Sequence, residues 1–400
     1  MKDFPRLLVA TEFSPNSKGG GGSGAVMRQM LKEWPVEKLF WWSCFPDRDV
    51  FFGQKTAAQR VALIPQRFYP NQRWRAQKSW LLEKFWVPRA VRHFKETLEI
   101  FKPDVIWAHP HCWAIPPMTK ILPNAGIGFH VSIHDYADVG GNVARFGASR
   151  SKQMAAMADQ LYVAATTRDA ICLPMVDDLR KRTGRDGSIN RAGLEQDDFD
   201  YLSAKPQADS GPIRIAYPGT VIAEKEFALF AKALGRIRNR LPRPLTLDFF
   251  GDHSYRSRAW FDSDWMRENG SLPALELSHT LRECTWGFSP MELTDENSQY
   301  NRYSLPTKFA SYLAAGLPVI TLGHSQSAVV KVASQYRLGV CVTEDNLDNL
   351  DDQLLAVLSM PDPKITYRAE IQRCALEEFD ARRMRAVLYE NFHKCASVSK

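Results

Sequence analysis

Short apolar runs recur along the chain, each followed by a polar turn and then by residues at helical spacing. Arg6–Phe13, Leu39–Phe45, Pro103–His109 and Gly128–Ile133 read as buried strands. Helical spacing predicts helices from about Gly24 to Trp34, over Trp113–Leu122 and Gln153–Asp159, and over Arg168–Arg182 after a strand at Gln160–Ala165. Thr183–Pro212 is polar, without a clear period, and places a boundary near Lys205–Gly211. The rhythm then restarts, with strands at Ile213–Tyr217, Leu245–Phe250, Val319–Thr321 and Gly339–Val342 and weaker ones at Leu272–Leu277 and Leu281–Trp286. Helices are predicted over Lys225–Asn239, Ser327–Gln335 and Leu347–Leu358, with a terminal helix over Arg368–Phe392. Two strand–helix series predict an α/β chain with two Rossmann-like domains.

Composition narrows the picture little. The 400 residues, 44% hydrophobic and 24% charged, describe an ordinary globular chain. No stretch reaches the roughly 18 uncharged apolar residues of a membrane span, and the opening MKDFPRLLVATEF is too soon interrupted for a signal peptide, so a cytoplasmic location is expected. Seven scattered cysteines without C-x-x-C argue against a disulfide framework or a zinc site. The net charge of +7 asks for an anionic partner.

The chemistry concentrates in Arg302–Thr321, RYSLPTKFASYLAAGLPVIT. Ser304 is a good N-cap, Pro306 suits the first helical turn, Gly316 supplies a left-handed stop and Pro318 prevents continuation. Arg302 and Lys308 stand at the positive end of that helix, where cations are disfavoured unless an anion binds. A solvated lysine on an ordinary helix is the plain alternative. Lys225 is a second cation at a second helix start, after the turn Pro218-Gly219-Thr220.

P-T-K-x-x-x-Y-L-A-A-G-L-P-V-I resembles the nucleotide-sugar segment of retaining GT-B glycosyltransferases, where P-x-K-x-x-E-Y-x-A-x-G-x-P-V-I recurs. The resemblance implies a GT-B fold, two Rossmann-like domains facing a central cleft: 1–205 for the acceptor, 206–375 for the nucleotide sugar, and a helix over 376–400 crossing back to the first domain. It implies that the helix N-terminus (Ser304, Thr307) and Lys308 hold the donor diphosphate, with Arg302, Gly219 and Thr220 alongside. It makes Lys225 a second phosphate-binding lysine and puts His134, which follows Gly128–Ile133, near the donor sugar. Where the family carries two glutamates eight residues apart, this chain has Tyr303 and Ser311. Glu292, Asp295 and Glu296, in a polar loop over 288–300, offer replacement carboxylates. Implied in turn are a nucleotide-diphosphate sugar as donor, a lipid-linked or cell-surface glycan acceptor, retention, and no cofactor or metal. A nucleotide-sugar epimerase of the same fold and a scaffold that has lost catalysis remain as alternatives.

Other patterns are less specific. Gly19, Gly21 and Gly24 satisfy the dinucleotide fingerprint G-x-G-x-x-G, and Asp47 stands where a ribose acid would, but a run as rich as GGGGSG contains that fingerprint by default. In the family resembled, this loop, with Gly21 and Gly22, closes under donor phosphates and acceptor. D-x-D occurs at Asp47/Asp49, Asp198/Asp200 and Asp262/Asp264, too often to mean much. His109, His111 and His134 all fall past strand ends, without the spacing of a metal motif. Across Arg67–Phe94, Arg and Lys alternate with Phe, Tyr and Trp. That mixture suits a peripheral contact with anionic membrane or a core helix with a solvated basic face; no nucleic acid is expected. Pro88 is predicted to split the stretch into two helices, the second burying Val91, Phe94 and Leu98.

Overall fold

The computed structural model describes residues 4–14, 21–45, 58–68, 73–138, 140–205, 211–294 and 298–398. The chain divides into two compact units, Met1–Arg191 with Arg383–Lys400, and Ala192–Arg382. The first holds β1 (Leu7–Ala10), β2 (Leu39–Ser43), β3 (Ala58–Val61), β4 (Val105–Ala108), β5 (Phe129–Ile133), β6 (Thr167–Ala170) and β7 (Ser188–Ile189). The second holds β8 (Ile213–Pro218), β9 (Leu245–Phe250), β10 (Met266–Glu268), β11 (Trp286–Pro290), β12 (Val319–Leu322) and β13 (Gly339–Val342). Strand order is β3-β2-β1-β4-β5-β6-β7 in one sheet and β10-β9-β8-β11-β12-β13 in the other, with parallel pairing throughout. Each is a doubly wound sheet whose order reverses beside its first strand, at β1/β4 and at β8/β11. Such a reversal opens a crevice at the carboxyl ends of the strands.

The strands form where apolar side chains need cover on both faces. β1, β4, β8, β9 and β12 are buried almost throughout. In the second unit the rings of Phe230 and Phe288 stack at 3.6 Å, tying the helix Glu224–Ile237 to β11. In the first unit the closing helix Ala381–Ala396 brings Tyr389 and Phe392 against Trp34, with centroids 5.0 and 5.4 Å apart, and the Tyr389 hydroxyl donates to Met30 O at 2.9 Å.

Several expected elements move. The apolar run at Gln160–Ala165 finishes a helix over Ala148–Ala164, and the strand follows it at Thr167–Ala170. A short apolar run preceded by alanines does not distinguish the two by period alone. The helix expected over Arg168–Arg182 therefore begins later, as Leu173–Thr183. Leu272–Leu277 belongs to the helix Ala274–Arg282, and the strand sought at Leu281–Trp286 begins where that one was to end. The terminal helix is two helices, Arg368–Glu378 and Ala381–Ala396, broken at Phe379 and Asp380. Pro88 does not split its stretch. It occupies the first turn of Val87–Phe101, where no N–H is required, and a π-turn at Leu82–Trp86 runs into it from Arg75–Leu81. Phe94 is buried and stacks on Trp42 at 4.6 Å, whereas Val91 and Leu98 are only half-buried.

Candidate functional site

The second unit brings Lys308, Gly219, Thr220 and Lys225, among the predicted residues, to the β8/β11 crevice. Tyr312 explains how. Its hydroxyl lies 2.7 Å from Phe288 O and 3.1 Å from Ala216 O, so the helix Thr307–Ala314 is pinned to both strands beside the reversal. Gly287 makes this possible, because a Cβ there would come within 2.4 Å of the Tyr312 ring. One helical turn earlier, on the same face, stands Lys308. Its ammonium sits 3.8 Å from the centroid of the Tyr217 ring, at the end of β8. Among the described residues it makes no ion pair. Burial pushes its pKa down from 10.5 to about 7, and the negative face of the Tyr217 ring works in the opposite direction. A half-desolvated ammonium without a counter-charge among the described residues suits an anion.

The turn after β8 completes the arrangement. The Tyr217 hydroxyl donates to Thr220 O at 2.9 Å, and Val221 N–H donates to the Tyr255 hydroxyl at 2.9 Å. Gly219 adopts φ +92, which a side chain would resist, and nothing lies within 4 Å of the place its Cβ would take. Lys225 is exposed in the first turn of Glu224–Ile237, the helix that follows. Glu226, 6% exposed, accepts from Leu293 N at 3.0 Å and thereby holds the segment after β11 against that helix start. Lys308, Tyr217, Gly219, Thr220 and Lys225 thus share one strand end.

The helix start is corrected in one respect. Its N-cap is Pro306, which makes no side-chain capping bond, and helical residues begin at Thr307. Ser304 instead closes a separate helix, Ser298–Tyr303, by donating its N–H to Tyr300 O at 2.9 Å. The first-turn N–H groups consequently have no side-chain cap, which leaves them for a ligand. Arg302 is exposed in the last turn of that extra helix, and Tyr303 beside it is half-buried. Ser311 points its hydroxyl back to Thr307 O at 3.4 Å. The loop expected over 288–300 is β11 as far as Pro290 and helix from Ser298. Glu292 is half-buried, while Asp295 and Glu296 lie outside the described residues.

Two of the D-x-D pairs serve the fold. Asp198 closes a capping box with Glu195, and Asp262 accepts from Trp265 Nε1 at 2.8 Å. Asp47 and Asp49 lie outside the described residues. Gly21 and Gly22 begin the helix Gly21–Met30, earlier than Gly24, and residues 15–20 of the loop before it are likewise outside the described set.

In the first unit the strand ends at the corresponding reversal gather four groups. His134 is 3% exposed and His109 1%, their ring centroids 4.5 Å apart, and none of the four ring nitrogens has a hydrogen-bond partner among the described residues. Desolvation lowers the pKa of both, against the opposing pull of Asp169 and Asp135 at His134, so each is a neutral imidazole offering one donor and one acceptor. Beside them His111 Nδ1 lies 2.8 Å from Glu12 Oε2, and Glu12 Oε1 accepts from Trp113 N at 3.3 Å. Sequence spacing hides this pairing, since Glu12 follows β1 and His111 follows β4.

The architecture is that of the GT-B fold. Over 98% of this chain it superposes on 99% of sucrose-phosphate synthase from Thermosynechococcus elongatus, with TM-score 0.70 and 13% identity. A UDP-forming α,α-trehalose-phosphate synthase from Burkholderia xenovorans gives TM-score 0.65 and 11% identity, covering 98% of this chain and 99% of that one. Anabaena HepE in complex with UDP-glucose gives TM-score 0.65 and 11% identity over 97% and 99%. Residues 233–364 match the family model for the glucosyltransferase 3-like C-terminal domain, which lies wholly within the second unit. No curated protein matches the sequence.

Proposed function

We propose that the protein transfers a sugar from a nucleotide-diphosphate donor to a glycan or lipid-linked acceptor, with retention. The observation that carries this reading is Lys308: a partly buried ammonium with no counter-charge among the described residues, at an uncapped helix start, on the same strand end as Lys225. As the bond between the anomeric carbon and the β-phosphate oxygen breaks, the electron pair stays with the diphosphate. Lys308, Lys225 and the first-turn amides of Thr307–Ala314 face the charge that grows there, an arrangement that stabilises the transition state above the ground state. The acceptor hydroxyl attacks the face the leaving group vacates, and its proton passes to the departing phosphate oxygen. Arg302, Gly219, Thr220, Tyr303, Ser304, Thr307 and Ser311 are assigned to the donor, as are Gly21 and Gly22; His134 is assigned to the donor sugar. Two lysines supply the charge a divalent ion would otherwise provide, so no cofactor is needed for donor binding.

A membrane-surface acceptor is favoured by a separate observation. Trp74, Trp80 and Phe85 are 59%, 59% and 64% exposed, and Arg73, Lys84 and Arg89 around them are exposed too. The π-turn brings Phe85 to Trp80, five residues earlier, with centroids 6.1 Å apart. Paired aromatic rings ringed by cations suit the headgroup layer of an anionic leaflet. No helix among the described residues is long and apolar enough to cross a membrane.

The test is a thermal-shift panel of UDP, GDP and ADP. A hundredfold excess over Kd should stabilise the chain by about 2–3 kcal/mol with one of them. UDP is the first candidate, because a structural neighbour is described with UDP-glucose. No shift with any diphosphate would remove the reading.

A further inference from the structure

We infer that the first unit binds a divalent cation of the zinc class through His111 and Cys112, with Glu12 fixing the histidine. Glu12 is 5% exposed, and both its oxygens are engaged, Oε2 with His111 Nδ1 at 2.8 Å and Oε1 with Trp113 N at 3.3 Å. An ionised carboxylate can only accept, so His111 carries a proton on Nδ1 and turns its other nitrogen, Nε2, toward Cys112. That nitrogen is 3.8 Å from Cys112 Sγ. Two ligands on one tetrahedral zinc, at about 2.3 Å for sulfur and 2.0–2.1 Å for nitrogen, lie roughly 3.5–3.6 Å apart, within a few tenths of an ångström of that separation. Donor atoms of Glu12, His111 and Cys112 all fall within 4.8 Å of one another. A carboxylate behind a ligating histidine is also the usual way such a ring is oriented and made more basic.

A second, independent observation points to the same place. His109 is 1% exposed with both ring nitrogens unpartnered, and its centroid is 6.0 Å from that of His111. Buried polar groups are almost always satisfied, and the two His109 nitrogens, unpartnered among the described residues, ask for a ligand. A cation held at His111 and Cys112, or the water it carries in an open position, gives His109 that partner. On loading, the metal replaces the thiol proton that Cys112 now donates to Asn142 Oδ1 at 3.4 Å and any proton on His111 Nε2, and what is displaced is released to solvent.

The experiment is a Co²⁺ titration of the full chain after dialysis against a chelator, read by absorbance. One equivalent should bring ligand-field bands and a sulfur-to-cobalt charge-transfer band, both lost on adding Zn²⁺. Cys112→Ser should remove the charge-transfer band, His111→Ala should abolish stoichiometric binding, and Glu12→Gln should weaken it about 10–100-fold. Circular-dichroism melting of each variant separates lost binding from lost folding; if Cys112→Ser does not fold, competition by Cys112 alkylation in the wild-type chain decides. Absence of bands at stoichiometric Co²⁺, or a charge-transfer band that survives at Cys112→Ser or after alkylation, overturns the proposal.

Discussion

The two units share a sheet order and place opposite chemistry at its reversal. At β8/β11 the groups are cationic: Lys308 over Tyr217, Lys225 in the next helix, and a helix start without a side-chain cap. At β1/β4 they are one buried carboxylate, a thiol and three histidines, two of which burial keeps neutral. One topology therefore supplies the crevice in both places, and the side chains at strand ends alone decide what it attracts. A strand end with stranded positive charge suits an anion. One with neutral imidazoles offers both donors and acceptors of hydrogen bonds.

The sharpest way to break this contrast is Lys308→Ala. It should lower kcat by on the order of 10²-fold or more, because the contact it removes strengthens as charge moves onto the leaving oxygens. Folding stability should hold or rise, since a partly desolvated ammonium is lost with no ion pair to miss. Lys308→Arg should recover part of the rate, limited by the larger guanidinium over Tyr217. Full activity with normal stability would mean a merely solvated cation and an anion site elsewhere.

Next in size is the surface of the first unit. Replacing Arg73, Lys84 and Arg89 by Gln removes three exposed cations, each contributing about 1 kcal/mol at an anionic bilayer, so vesicle affinity should fall roughly 10²-fold at low salt. Trp80→Ala should weaken binding to neutral and anionic vesicles alike. Flotation indifferent to anionic lipid would leave the stretch as a core helix with a solvated face.

Lys225 should matter less than Lys308. It is exposed, so its attraction to a diphosphate is screened, and Lys225→Ala should cost about tenfold in kcat/KM, shrinking as salt is raised. Adding Mg²⁺ should leave nucleoside diphosphate affinity unchanged; affinity that requires Mg²⁺ would show the lysines insufficient.

How far these sites can be read from sequence follows from how local their signals are. Lys308, Gly316 and Pro318 lie within one short helix and its exit, and Gly316 takes the left-handed conformation its place demands, φ +66. The ring beneath Lys308 comes from β8 and the Tyr312 anchor reaches β8 and β11, so neither leaves a spacing to find. The Glu12–His111 pair is hidden for the same reason, as are β3, β7 and β10, which are short strands at or near sheet edges with few apolar residues. Ser304 misleads more instructively. A serine before a helix suggests a cap, but Ser298–Tyr303 is itself helical and takes its N–H, and the capless start at Thr307 is what an anion site needs.

The smallest effect is a proton. Burial holds Lys308 near pH 7 in the native chain against 10.5 ordinarily. Between those values the unfolded chain binds a proton that the native one lacks, so stability should rise with pH across that window. Below about 7 both states carry the proton and the penalty is full; above 10.5 neither does and it vanishes. A diphosphate at the helix start favours the ammonium and raises its pKa again. Binding near pH 8 should therefore take up as much as one proton, seen by calorimetry as an apparent enthalpy that varies with the ionisation enthalpy of the buffer. Lys308→Met should abolish that dependence and flatten the pH profile of stability above 7. The face of the Tyr217 ring narrows the window from below by favouring the cation, so Tyr217→Leu should deepen the uptake, setting Lys308 further from its ordinary pKa until the anion arrives. Equal buffer dependence in wild type and Lys308→Met would assign the proton to another group and leave Lys308 charged throughout.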